Sequence, residues 1–572
     1  MGIYTERKIG KWSGAAILTA AFAVLYGIWL AGDPELMRSE VVYAAAAAEF
    51  SPHTPLLVRV HGWVTPECFP LFPMAARLLR EACPALPMES VLRGLSVLML
   101  GAGAVLVYFA ASSRRTHVAG LVAAAMYSTS FLALGTAVEG TPATTNAFLL
   151  AAAQQLFFLY GVRRAEWNRA WLYSTLPVAL GFLSGGFTFL LFFIFPMLFF
   201  RRPLSVSSKF RRPGFAAAVA IVVLIALAWS GAFTSESRQI SPYEVWWRQL
   251  SEVRLGWGLA VFPFAVIFWM LPWSLLMWMP FCVALQAIDE TPIYSRYLRT
   301  LAFSTLALLW LIPEMRRYGL FYAVAPLSVL TGAFYELGAR RYGRGVRSFL
   351  VVAEIFLLVV AVLIAVGGFA PEGWLTKPWL KLSLGLTLHF REVSGFNVAV
   401  AALLVAVLLL AFYVHRTRHS DPLWMILLAV SVASALFCNG LMFPYKSQDR
   451  SKRNFGAEVR AALARDGAAP DTVIYTRNVR NLTGGLFYAG FPVYRLTAAD
   501  GIPPGAEPLY LLSGDFPQSG EYSWENLFPK DFTYNDQPLN LKLWKGTPPE
   551  PVAENVVGTA GTPPEPKQQE KK

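Results

Sequence analysis

The sequence predicts a polytopic α-helical membrane protein of about 13 transmembrane helices, followed by a small α/β domain on the outer face. Three observations predict it. The chain of 572 residues is 55% hydrophobic, with a mean hydropathy of +0.46, more apolar than an ordinary soluble domain. Apolar runs long enough to cross a bilayer recur along it. Lysine and arginine cluster between those runs in a pattern that orients them.

The clearest runs cover residues 12–31, 91–111, 118–134, 215–233 and 259–285, then 349–370, 398–414 and 423–443. About 20 apolar residues suffice for one helical span. The first run lacks a small-residue cleavage site and is long for a signal peptide, so it reads as a retained helix. Residues 142–160 add another span. Two short pairs complete the set: 170–183 with 187–200 around Ser184-Gly185-Gly186, and 301–312 with 318–335 around Pro313 to Arg317. Short interrupted pairs are expected where the backbone lines a cavity rather than lipid.

Placing Arg7, Lys8 and Lys11 in the cytoplasm makes the loops with Arg114-Arg115, Arg163-Arg164, Arg201-Arg202, Arg340-Arg341 and Arg416 cytoplasmic. The net charge of +13 is then a topological signal. Its spread over loop ends excludes a nucleic-acid surface. An odd number of helices puts the C-terminus outside. The expected domains are a membrane domain at 1–444, an outer domain at 445–545 and a disordered tail at 546–572. In the outer domain, "NFGAEVRAALARD" has a helical pattern, while "DTVIYT" and "PLYLLS" read as strands. The tail is rich in Pro, Glu, Lys and Gln.

Chemistry is expected in the outer loops. The first, from Gly32 to about Glu89, carries Asp33, Glu35, Arg38, Glu40, Arg59, His61 and Trp63. Within it, "VVYAAAAAEF" is a good helix former that puts Glu40, Tyr43 and Ala44 on a shared face. Glu139 is the acid of the next outer turn, between two apolar helices, where an ionisable group is a functional candidate. Arg316 and Arg317 fall between two later apolar runs, and paired guanidiniums suit a phosphate. Carboxylates in early loops with cations in a later one fit a transferase that uses a lipid-phosphate-linked sugar. His53 and His61, beside Glu49 and Glu67, are a candidate pair for a divalent cation, without a closed ligand set. Cys68 and Cys83 share the first outer loop, where an oxidising compartment would allow a disulfide.

Several segments, in order, resemble the bacterial protein-O-mannosyltransferase and aminoarabinose-transferase superfamily, integral-membrane enzymes of the GT-C fold. Ser39-Glu40 followed by Tyr43-Ala44 is similar to the family's Asp-Glu pair and Tyr-Ala. "HGWVTPECFPLFPMAARLL" resembles its Trp-x-Thr-Pro segment joined to Lys-Pro-Pro-Leu, and "VLRGLSVL" its Arg-x-x-Ser helix start. "GTAVEGTPATTNAFLLAAA" resembles the stretch with a second aspartate, and "LGFLSGGFTFLLFFIFPMLF" the Leu-Thr-Lys-Gly element. "LPWSLL" and "MRRYGLFYAVAPL" resemble its Pro-Trp and Lys/Arg-Tyr elements. The resemblance implies a transferase in the bacterial inner membrane, with its C-terminal domain in the periplasm. Its partners would be a polyprenyl-phosphate sugar donor, a lipid or glycan acceptor and membrane lipids. Its catalytic carboxylates would be Glu40 and Glu139. Arg316 and Arg317 with Tyr318, and Arg38, Tyr43, Arg59, His61 and Trp63, would bind substrate.

The motifs are eroded. Ser39 replaces the first aspartate, the second falls on Thr141 or Glu139, and the two motif lysines are Cys68 and Gly185. Losing a charge-stabilising group costs roughly a hundredfold in rate. Three readings stay open: an active transferase with a remodelled donor site, an inactive member that binds lipid-linked sugar or partners, and a transporter or flippase. A transporter predicts mid-membrane charges and two similar halves, whereas the charges here cluster at membrane edges and no repeat is evident.

Overall fold

The structure, a computed structural model, describes residues 11–31, 35–65, 68–200, 206–236, 247, 257–312, 316–369, 395–417, 423–437, 452–477, 483–496, 508–517, 522–528, 533–534, 537–538 and 541–548. The expected tail beyond residue 548, Glu67 and Cys438 lie outside them, as do the side chains of Arg38, Arg317 and Tyr318, whereas the first residues of that tail, Gly546 and Thr547, end a strand.

Most of the chain is a helical bundle. Among the described residues, four helices are long and apolar enough to cross a membrane: Met88–Ser112, Ala143–Arg163, Trp167–Leu198 and Pro213–Thr234. Two bent pairs raise this to six. Shorter apolar helices cover Trp12–Gly27, Ala402–Tyr413 and Leu423–Ala435. Bulky residues such as Tyr127, Phe157, Trp273 and Trp424 fill the interior of the bundle.

Two expected elements differ. The span expected at 259–285 is instead a corner, since Gly258–Trp269 and Ser274–Phe281 meet at 107°. Pro272 has no N–H to continue the helical ladder. The Phe131 N–H donates to the Leu271 carbonyl at 2.9 Å, and the Trp273 indole donates to Thr129 Oγ1 at 3.0 Å. The corner is therefore braced against the second bent pair, His117–Thr129 with Phe131–Ala137, which turns through 53°. The two short spans expected around Ser184 to Gly186 are present: within Trp167–Leu198 the chain folds back on itself, with the Trp171 and Phe193 rings 6.3 Å apart, and the break falls at Gly186, with φ 62° and ψ −145°. A Cβ at Gly186 would strike the Phe69 ring, so this conformation and this approach both require glycine. Finally, the loop expected at Arg340-Arg341 is continuous helix within Phe321–Phe369. Its 49 residues rise about 74 Å, which rules out two antiparallel spans in this segment.

The segment before Met88 folds into the helix Arg38–Ala48 and a small hairpin of β1 (Arg59–Val60) and β2 (Trp63–Val64). His61 and Gly62 form the two-residue turn with φ 56° and 74°, the mirror-image turn that suits hairpin twist. A Cβ on Gly62 would lie 2.6 Å from the Tyr494 ring. Both turn N–H groups donate to the Glu49 carboxylate, at 2.7 Å from His61 and 3.0 Å from Gly62. Cys68 is buried and Cys83 exposed, and both are free thiols, so the disulfide that a shared loop allowed is not formed.

Residues 452–547 contain a mixed sheet beside the helices Lys452–Arg465 and Thr483–Ala489. Its strands are β3 (Ile474–Arg477), β4 (Val493–Leu496), β5 (Leu509–Ser513), β6 (Ser523–Asn526) and β9 (Lys542–Thr547), in the order β4-β3-β5-β9-β6. Thr533–Tyr534 and Gln537–Pro538 form β7 and β8, a separate pair. β3 runs parallel to β4 and β5, and β9 antiparallel to β5 and β6. The His61 hairpin docks on β4. Arg495 N donates to the His61 carbonyl at 3.1 Å, the Trp63 indole to the Arg495 carbonyl at 2.7 Å, and the Arg495 guanidinium lies 5.3 Å from the Trp63 ring centroid.

Burial, helped by the Arg495 charge, lowers the His61 pKa to about 4. The unfolded chain protonates this side chain near pH 6.5, so the docked hairpin loses stability as pH falls from there towards 4. The full effect is roughly 3 kcal/mol. Burial raises the Glu49 carboxyl, although the turn N–H groups oppose the shift, so Glu49 acts in the other direction at the acid end. Hydrogen exchange in residues 59–64 and 493–496, corrected for intrinsic rates, should lose protection between pH 6.5 and 5. His61→Asn should flatten that dependence; an unchanged slope would locate the effect elsewhere.

Candidate active site

The expected carboxylates occupy different environments. Glu40 is fully buried, and Arg93, in the Met88–Ser112 helix, is 2% exposed. The two form a paired bridge, with Nε 2.9 Å from Oε1 and Nη2 2.9 Å from Oε2. Oε1 also accepts from the Gly140 N–H at 2.7 Å, and Oε2 from the Met37 N–H at 2.6 Å. The Met37 bond closes the first turn of the helix Arg38–Ala48 in the manner of a capping box. A second N–H of Arg93 Nη2 reaches the Glu35 carbonyl at 2.9 Å. Arg93 is the residue that motif reading missed as a partner. The available signal was an arginine in an apolar helix, which must find an opposite charge.

The corner after Glu139 is pinned from several sides. Gly140 is held by Glu40, and a Cβ there would sit 2.6 Å from Leu92 Cβ. Thr141 N donates to the Glu139 carbonyl at 2.8 Å, and Ser96 Oγ to the Thr141 carbonyl at 2.9 Å. Ser39, which stands where the resembling family has an aspartate, donates its hydroxyl to Glu139 Oε2 at 3.0 Å. Glu40 thus fixes the backbone that presents Glu139, and Ser39 orients its carboxylate.

Glu139 lines a cavity of about 670 Å³ whose wall also holds Arg316. The other lining groups include Met37, Phe131, Phe262, Phe268 and Trp269. The cavity lies inside the corner made by the two bent helix pairs. Arg316 donates Nε to the Leu309 carbonyl at 3.0 Å, Nη1 to Gly258 at 3.1 Å and Nη2 to Trp310 at 2.7 Å. Its carbon centre lies 5.0 Å from the Phe262 ring centroid. A guanidinium has five N–H groups, so one on each Nη remains for a ligand.

The remaining expected residues lie elsewhere. Tyr43 packs edge-on against Phe72 at 5.6 Å. Arg59, His61 and Trp63 belong to the hairpin on β4. None of these four lines the cavity. Glu35 is a bridge to the C-terminal domain: its carboxylate accepts the Lys452 and Arg453 N–H groups at 2.9 and 3.0 Å, at a helix N-terminus. Among the described residues, no group of three or more His, Cys, Asp or Glu side chains could hold a metal ion. The expected motif lysines have no structural stand-in at their positions. Cys68 is 2% exposed, and a Cβ on Gly185 would lie 2.8 Å from Asn146 Nδ2.

Removing one partner of a buried pair leaves the other charge uncompensated, at a cost of about 3–5 kcal/mol. Glu40→Gln and Arg93→Met should each lower the melting temperature of the purified protein sharply. The double variant should recover part of the loss. A Glu40→Gln protein as stable as the native one would show that this carboxylate does not act as a structural anchor.

Residues 87–230 match the family model described as dolichyl-phosphate-mannose-protein mannosyltransferase. No curated protein matches the chain in sequence. Among solved structures, the chain is similar to ArnT from Cupriavidus metallidurans bound to undecaprenyl phosphate. The TM-score is 0.67 at 14% identity, over 93% of this chain and 97% of that one. Apo ArnT from the same organism gives 0.62 at 13% identity, over 93% and 98%. The apo oligosaccharyltransferase of Archaeoglobus fulgidus aligns at a TM-score of 0.42 and 13% identity, over 86% and 65%. The motifs, the family model over residues 87–230 and the ArnT-like fold over most of the chain thus agree in what this chain is similar to.

Proposed function

We propose that the chain is a membrane glycosyltransferase that moves a sugar, hexosyl or pentosyl, from a polyprenyl-phosphate donor to a lipid or cell-surface glycan. The observation that carries this is the cavity of about 670 Å³ with a carboxylate and a guanidinium in an otherwise largely apolar wall. A phosphate-headed isoprenoid has matching chemistry. Its tail suits Phe131, Phe262, Phe268 and Trp269, and its phosphate suits the two uncommitted N–H groups of Arg316. The undecaprenyl phosphate in the structure of ArnT, which shares this fold, supports the same ligand class.

In this reading Glu139 is the general base. It takes the proton of the acceptor hydroxyl as that oxygen attacks the anomeric carbon. The bond from that carbon to the donor phosphate breaks, and Arg316 stabilises the charge that collects on the departing phosphate. Glu40 acts through Gly140 as a positioning residue. The cavity and the C-terminal sheet lie on the outer face of a bacterial inner membrane, with the N-terminus and the arginine-rich ends in the cytoplasm.

A second reading rests on Gly185 and Cys68. With no lysine at either position, the chain would bind lipid-linked sugar without turning it over. One assay separates the two: release of free polyprenyl phosphate by the purified protein from lipid-linked sugars, with acceptor lipids present. Native protein should release it, Glu139→Gln should be about 10²–10⁴-fold slower while still binding donor, and Arg316→Gln about 10²–10³-fold slower. Donor binding without release by the native protein would establish the second reading. Equal rates in native and Glu139→Gln protein would remove Glu139 from the chemistry.

A further inference from the structure

A second crevice, of about 560 Å³, opens at the other end of the bundle. Its wall includes Arg296, Arg299 and Gln286 beside Phe195, Phe199 and Phe303. All but Gln286 and the two phenylalanines at 195 and 199 come from one helix, Pro292–Leu311. Spacings of three and four residues place Arg296, Arg299 and Phe303 along one face of it. About 22 Å of helix separate Arg296 from Leu311, beyond which lies the turn that carries Arg316. The crevice is therefore distinct from the transferase cavity, and its assignment does not depend on that reading.

Charge in this region is unbalanced. Arg115 takes the nearby acids, with Nη2 2.9 Å from Asp289 Oδ1 and Nη1 3.0 Å from Glu290 Oε2. Arg299 is 4.0 Å from Asp289 Oδ2 and donates Nε to the Ser295 carbonyl at 3.2 Å. Arg296 has no ion-pair partner among the described residues. Three guanidiniums thus face two carboxylates. The aromatic side of the crevice opens outward: Phe199 is 55% exposed and Phe303 57%, in positions that lipid covers when the bundle is in a bilayer. A fixed positive charge above an apolar, lipid-facing slot matches an amphiphile with an anionic head.

We propose that this crevice holds an anionic phospholipid, with its phosphodiester against Arg296 and Arg299 and its acyl chains along Phe199 and Phe303. A bound lipid also accounts for a cation at a membrane edge without a protein counter-ion.

The full-length protein, delipidated in detergent, is titrated with phosphatidylglycerol and with phosphatidylcholine of identical chains, and bound lipid is counted by native mass spectrometry. One phosphatidylglycerol should be held more tightly than phosphatidylcholine. Arg296→Gln should weaken that site about fivefold, and Arg296→Gln with Arg299→Gln by about the square of that. Arg296 is exposed, so the single variant carries the test if loss of Arg299 near Asp289 perturbs folding. Equal retention of the two lipids, or unchanged affinity in Arg296→Gln, overturns the proposal. Displacement of the lipid by millimolar inorganic phosphate would show a free-phosphate site and overturn it too.

Discussion

The buried pair of Glu40 and Arg93 is the constraint on which the end of the bundle next to the C-terminal sheet depends. Two charges out of water are tolerable when every lone pair and proton finds a partner. Here both carboxylate oxygens are used twice, and the guanidinium reaches on to the Glu35 carbonyl. Such a pair leaves little freedom in where its elements meet. It ties the helix Arg38–Ala48 to Met88–Ser112 and both to the Gly140 corner. Glu139 and Ser39 inherit their positions from it. So does Glu35, whose carboxylate caps the helix Lys452–Arg465. One ion pair thereby links the cavity, the bundle and the C-terminal sheet.

Much of the bundle was legible because hydropathy reports what solvent a segment meets. The runs at 91–111 and 215–233 are helices of nearly those limits, and the interruption around Ser184 to Gly186 falls at the break in Gly186. Hydropathy does not report shape. The run at 259–285 is apolar through its corner, and the arginines at 340–341 lie in unbroken helix. For the site, composition singled out Glu139 and Arg316, and both line one cavity. It could not separate Glu40 from Glu139, because their difference lies in residues 53 and 100 positions away. Local pattern cannot reveal such partners. The hairpin residues misled for the same reason: His61 and Trp63 are polar and aromatic because they meet Arg495, far along the chain.

The two missing motif lysines are not open vacancies that a neighbouring cation could simply fill. At Gly185 the backbone lies against the Asn146 amide, and a side chain must first move it. At Cys68 the thiol is enclosed by Ala46 and Val58. Packing has closed over both positions. Among the described residues, the cation in the cavity wall is Arg316, delivered from a different helix end and already anchored on three carbonyls. Those anchors reduce its freedom and so the reorganisation needed when charge develops beside it.

Charge balance then decides whether one cation is enough. Before transfer, the cavity would hold a Glu139 carboxylate, a donor phosphodiester and Arg316, for a net charge of about −1. Afterwards Glu139 carries the acceptor's proton, and the released phosphate monoester carries nearly two charges. The sum is close to unchanged; negative charge has moved from one side of the cavity to the other. A single guanidinium can favour that movement if it lies nearer the phosphate than the carboxylate. In an apolar wall that preference is weakly screened, so its effect exceeds what the same pair would exert in water. Placement of Arg316, more than the number of cations, therefore sets how far the eroded motifs limit the reaction.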